Sequence, residues 1–145
     1  MRQAEHTVTI GRSVEDVFDY LADGTNNPRW RAGVVEIHRT SETAEGGATY
    51  RQVLRGPGGR KIAGDYLVTT YDRPGRLDFE VTAGPARPSG TFELASDGPN
   101  STTVTFRLTV NPTGITRLLT PMIARQMRIE TRQLDNVKDR LEDQP

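Results

Sequence analysis

The sequence contains no cysteine. Disulfides, cysteine nucleophiles and thiolate-held zinc or iron–sulfur centres are therefore excluded, and any core must hold without cross-links. Neither charge is in excess, since 19 basic residues balance 19 acidic ones. Nucleic-acid binders generally carry a basic surplus, so no nucleic-acid partner is expected. No apolar run approaches the ~20 residues of a membrane span, so no stable membrane insertion is expected either. The opening Met1-Arg2-Gln3-Ala4-Glu5-His6 leads into alternating sequence without the apolar stretch of a secretory signal, and a cytoplasmic location follows by default. Histidine is scarce. His6 and His38 have no clear carboxylate companion, so they read as structural residues, and neither metal nor cofactor is expected.

What is present fits one domain over residues 1–145, large enough to bury a core of its own. His6-Thr7-Val8-Thr9-Ile10 alternates as a strand should. Ser13 stands at an N-cap, and Val14, Val17, Phe18 and Leu21 follow at helical spacing, predicting a helix over about 13–22. Asn26-Asn27-Pro28 opens a shorter turn carrying Trp30, the sole tryptophan. Strands are then predicted at about 34–41, 48–55, 60–71, 76–83, 89–95 and 102–111, broken by glycine- and proline-rich turns. Such short connections imply antiparallel neighbours. The clearest strand is Thr102 to Val110, with Val104, Phe106, Leu108 and Val110 on one face and polar residues on the other. Gly56-Pro57-Gly58-Gly59-Arg60-Lys61 superficially suggests a phosphate loop, but Ile62 stands where a hydroxyl is needed and a strand follows, so it reads as a hairpin turn. A helix over about 115–142 closes the chain, disturbed at Pro121. Its arginines Arg117, Arg125, Arg128 and Arg132 read as a solvated face. The fold class is α+β: a curved antiparallel sheet of six or seven strands around a long C-terminal helix, with two short helices after the first strand.

Several segments stand in a recognisable order: Ser13-Val14-Glu15-Asp16-Val17-Phe18-Asp19-Tyr20-Leu21-Ala22-Asp23, then Asn27-Pro28-Arg29-Trp30 and Val34-Val35. They continue with Pro74-Gly75-Arg76-Leu77, Gly90-Thr91-Phe92-Glu93-Leu94, Thr103-Val104-Thr105-Phe106 and Leu118-Leu119-Thr120-Pro121-Met122-Ile123. With the element order, these segments resemble the START-like superfamily, also called SRPBCC, and within it the polyketide cyclase/dehydrase branch. The resemblance implies a helix-grip fold with a cavity. It does not imply one chemistry, because the superfamily includes carriers, receptors and enzymes.

On a single helical wheel, Ile115, Leu118, Leu119, Met122, Ile123, Ile129, Leu134, Val137 and Leu141 share one arc with the polar Gln126, Glu130 and Gln133. Polar groups on an inward stripe need partners, water or a ligand, which points to a cavity against the middle of the helix. By the two-residue period of a strand, Tyr50 and Gln52 share a face with Leu54, and Ile62, Gly64 and Tyr66 share one with Val68. Leu77, Phe79, Val81, Phe92 and Phe106 supply further inward positions. The expected ligand-binding set is therefore Trp30, Tyr50, Gln52, Tyr66, Phe79, Phe92, Phe106, Met122, Gln126 and Glu130. The partner expected is a hydrophobic small molecule, lipid-, acyl- or polyketide-like, bound by a monomer or homodimer. The alternative is a polyketide cyclase or dehydratase with Glu130 as base and Tyr50 or Tyr66 as proton donor. A third reading, a protein-interaction or chaperone-partner module, would place function on the outer sheet face. If Glu130 faces a cavity, removing its charge is expected to stabilise the fold or leave it unchanged.

Overall fold

The computed structural model describes residues 2–42, 48–84, 86–111 and 113–143. The chain begins with β1 (Arg2–Ile10) and turns into α1 (Val14–Ala22), where the Ser13 hydroxyl accepts the Asp16 amide at 3.2 Å as the N-cap. A 3-10 turn at Gly24–Asn26 leads into α2 (Asn27–Trp30). The sheet continues with β2 (Val34–Glu42), β3 (Ala48–Arg55), β4 (Lys61–Ala63), β5 (Tyr66–Asp72), β6 (Arg76–Val81), β7 (Ser89–Ser96) and β8 (Thr102–Val110). Its order is β1-β8-β7-β6-β5-β3-β2, antiparallel at every pairing, with β4 added to β3. A 3-10 turn at Gly114–Leu119 then precedes α3 (Thr120–Arg132) and α4 (Leu134–Glu142). This is the helix-grip arrangement.

Alternation sets which face is buried. Along β8 every second residue from Thr102 to Val110 is buried, and Phe106 is wholly enclosed. Register shifts between β2 and β3, and between β5 and β6 after Val68, bend the sheet where an extra residue is accommodated. The segment read as one strand over 60–71 is two strands. At the break the Asp65 carboxylate takes the place of a backbone acceptor, receiving the Gln52 amide at 3.1 Å. The segment Gly56–Gly59 forms the expected hairpin between β3 and β4, with Gly58 and Gly59 at positive φ. His6 does have a carboxylate companion: its Nε2 lies 2.7 Å from Asp135 Oδ1, a partner brought across from α4.

The C-terminal helix differs most from expectation. Leu134, Val137 and Leu141 are buried as drawn, and Ile123 is partly so. Leu118, Leu119, Met122 and Ile129 face solvent, while Met127 and Thr131 take the inward positions. The side chain of Ile115 lies outside the described residues. The physical reason is phase. Residues 114–119 wind with three residues per turn, and the helix resets at Gln133, whose ψ is −15°. One wheel of uniform pitch cannot follow both changes.

Candidate functional site

The interior contains a small cavity lying under α1 and α2, not against the middle of the C-terminal helix as the wheel implied. Its sheet wall is Tyr66, Val68, Leu77, Phe79 and Phe92, and its helical wall is Leu21, Ala22, Asn27, Trp30 and Arg31. None of those lining residues comes from α3 or α4. The free volume is about 20 Å³, room for about one water molecule. Aromatic rings fill the rest. Phe92 and Phe106 stack at 4.4 Å between centroids, and Trp30 meets both edge-on at 6.1 and 5.9 Å. The Phe79 ring lies over the Cα of its cross-strand partner Gly90, a place any larger residue would occupy.

Polar groups beside this wall form two hydrogen-bonded sets, brought together by a tyrosine stack. Asn27 Nδ2 donates to Gln52 Oε1 at 3.1 Å and to the Tyr66 hydroxyl at 2.9 Å. Gln52 Nε2 in turn donates to the Gly64 carbonyl at 3.2 Å. The Tyr50 hydroxyl accepts from the Gly24 amide at 3.1 Å and from Arg39 at 3.3 Å, and donates to the Ala22 carbonyl at 3.4 Å. Tyr50 and Tyr66 stack at 4.8 Å. Gly24 is required beside them, because a methyl group there would overlap the Tyr66 hydroxyl and the Tyr50 ring.

Two donors on cavity-lining residues have no acceptor among the described residues. Trp30 Nε1 is buried and has no hydrogen-bond partner among the described residues. The Tyr66 hydroxyl accepts from Asn27, but its own proton has no hydrogen-bonded acceptor among the described residues. Burial pushes the Tyr66 phenol well above the usual tyrosine range, the neighbouring Tyr50 adds to this, and the Asn27 hydrogen bond only partly offsets it. Tyr66 is therefore held protonated as a donor. An unpaired buried donor costs roughly 1–3 kcal/mol, so an acceptor oxygen is favoured at this wall.

A second, open cleft of about 300 Å³ abuts the first, sharing Ala22 and Val68 with it. It is bordered by Asp19, Asp23, Arg39, Tyr50 and Tyr71, and so is more polar than the inner cavity. Of the stacked pair, Tyr50 borders the cleft and Tyr66 the cavity. Arg73 binds the exposed Asp19 through two hydrogen bonds and holds its carboxyl below the usual range.

Of the residues expected to bind ligand, Trp30, Tyr66, Phe79 and Phe92 line the cavity. Phe106 backs it, Gln52 anchors the polar set, and Tyr50 faces the outer cleft. The remaining three are placed elsewhere. Met122 is solvent-exposed, and Gln126 lies on the outer side donating to Glu130 Oε1 at 3.3 Å. Glu130 pairs with Arg31, Oε2 to Nε 2.9 Å, and both side chains are nearly buried at 13% and 11% exposure. Arg31 also lies 5.9 Å from the Trp30 ring centroid. Asn27 and Arg31 were missed. Asn27 sits before a proline and reads as a cap, while nothing in the sequence indicates that Arg31 reaches a helix 99 residues later.

Among the described residues, no group of three or more histidine, aspartate or glutamate side chains is placed to hold a metal. A family model described as polyketide cyclase / dehydrase and lipid transport matches residues 1–142. No curated protein matches the sequence. Among solved structures, a START superfamily protein from Mycobacterium smegmatis is similar, with 17% identity, 98% of each chain covered and a TM-score of 0.81. A Thermus thermophilus protein is 19% identical over 95% of each chain, with a TM-score of 0.80. The Zhui aromatase/cyclase from Streptomyces sp. R1128 is 20% identical, covering 97% of this chain and 93% of its own, with a TM-score of 0.72.

Proposed function

The chain belongs to the polyketide cyclase / dehydrase and lipid transport family, and from that premise we propose that it binds a hydrophobic small molecule carrying an acceptor oxygen. The observation that carries this reading is the buried Trp30 Nε1, unpartnered among the described residues, on a wall of mainly aromatic and aliphatic side chains that also includes Tyr66. An acyl, lipid or polyketide-like ligand would bury its apolar body against Leu77, Phe79 and Phe92 and give its oxygen to these donors. The free volume admits about one water, so such a ligand needs the cavity to widen, and parting of the stacked tyrosines would join it to the outer cleft.

Binding is favoured over turnover. A cyclase or dehydratase needs a group to remove a proton as well as one to supply it. Tyr66 is suited to donate, but the described lining of the inner cavity has no carboxylate or imidazole, the Asp19 of the outer cleft is engaged by Arg73, and Glu130 is engaged by Arg31. Trp30, as the sole tryptophan, reports on the site directly. Its emission is expected to change saturably when the protein is titrated with a long-chain acyl compound or a polycyclic phenol. Native mass spectrometry of freshly purified protein is expected to show a co-purifying small molecule. A flat Trp30 response to both ligand classes, with no co-purifying mass, would remove the reading.

A further inference from the structure

We propose that the outward side of α3 and the turn before it dock onto an anionic lipid surface. This inference stands apart from the cavity and does not require it to bind anything. Met122, Arg125, Ile129 and Arg132 recur at intervals of three and four, so they form one stripe along the helix, opposite the buried Met127 and Thr131. The preceding turn adds Leu118 at 83% exposure, Leu119 and Arg117, and Arg128 flanks the stripe. Elsewhere the large aliphatic side chains of the described residues are at least partly buried, so these four stand out.

Charge selects the occupant. Residues 114–132 hold four arginines and one acid, Glu130, which Arg31 already engages. None of the four arginines forms an ion pair among the described residues. The whole chain is neutral, so the remainder carries an acidic excess and the charge is polarised towards this helix. Aliphatic side chains alternating with arginines on a convex cylinder suit a deformable boundary between phosphate and acyl chain. Arginines reach the phosphates while leucine, methionine and isoleucine enter the acyl region. Nucleic acid offers no place for the aliphatic groups. No helix among the described residues is long and apolar enough to cross a membrane, so the contact is peripheral.

Flotation with vesicles of phosphatidylcholine, alone or with phosphatidylserine, tests this. The full chain is expected to float with the phosphatidylserine vesicles at low salt, to release at high salt, and to ignore phosphatidylcholine alone. Arg125→Glu with Arg128→Glu is expected to weaken binding at least about tenfold, whereas Arg60→Glu in the β3–β4 hairpin has little effect. Leu118→Ser with Met122→Ser is expected to abolish stable flotation. All these positions are exposed, and unchanged thermal melts establish that the variants fold. Absence of flotation, or flotation indifferent to the helix variants, would overturn the proposal. A wild-type dimer in sedimentation that Leu118→Ser with Met122→Ser dissociates would assign the stripe to a second copy and overturn it equally.

Discussion

Tyr66 carries the clearest consequence at the scale of one residue. Its folded-state value is raised above the unfolded one by burial, so the proton is bound more tightly in the fold. Stability from this group is complete below an unfolded-state pKa of about 10 and declines as pH rises beyond it, because the unfolded chain then loses the proton first. Tyr66→Phe removes that dependence. Tyr20, whose hydroxyl is also pushed up by burial, remains in both proteins. Thermal melts across alkaline pH are therefore expected to fall more steeply for the wild type than for Tyr66→Phe, and parallel curves would refute this. Gly24 gives a second residue-scale prediction. Gly24→Ala forces a methyl into the Tyr66 hydroxyl and the Tyr50 ring, and is expected to destabilise by about 1–3 kcal/mol in denaturant melts. The inward placement of Tyr50, Gln52 and Tyr66 was legible, because a strand's period of two is rigid and each shares a face with an apolar neighbour. Asn27 was not, because cap and core uses of an asparagine look alike until the tertiary partner is known.

At the scale of elements, the polar residues of the C-terminal helices form a seam. Glu130 binds Arg31, Gln133 Oε1 accepts the Ala32 amide at 2.9 Å, Asn136 Nδ2 donates to the Trp30 carbonyl at 3.0 Å, and Arg140 Nε donates to the Arg29 carbonyl at 3.1 Å. Spaced by three, three and four, they clamp residues 29–32 along one line of the helix. The sequence does show these polar positions beside the apolar ones, and it shows that they need partners. It does not show whether the partner is ligand, water or backbone. The expectation that removing the Glu130 charge is harmless therefore reverses. Glu130→Gln leaves a nearly buried guanidinium without its counter-charge and is expected to lower stability by about 1–3 kcal/mol. Unchanged melting of this variant would show that the pair contributes nothing.

At the scale of the whole molecule, sheet and helices close on a space far smaller than a ligand of the proposed class, so binding and closure compete. On the proposed reading the seam along α3 and α4 and the Tyr50–Tyr66 stack hold the small cavity shut, and the seam contacts no lining residue except Trp30 and Arg31. Weakening it disfavours the closed form without removing the aromatic wall or the unspent donors. Stability and apparent affinity should then move in opposite directions. A ligand that selects the open form gains affinity in proportion to that form's population, about fivefold for each kcal/mol by which closure is weakened. Glu130→Gln is therefore expected to melt at a lower temperature than the wild type yet bind an apolar fluorescent probe more tightly, with Trp30 as energy donor in the titration. Excess probe should also raise the variant's melting temperature by more than it raises that of the wild type. If affinity falls together with stability, the Arg31–Glu130 pair supports the wall in the bound state instead of latching it, and the open form must be sought at the tyrosine stack alone.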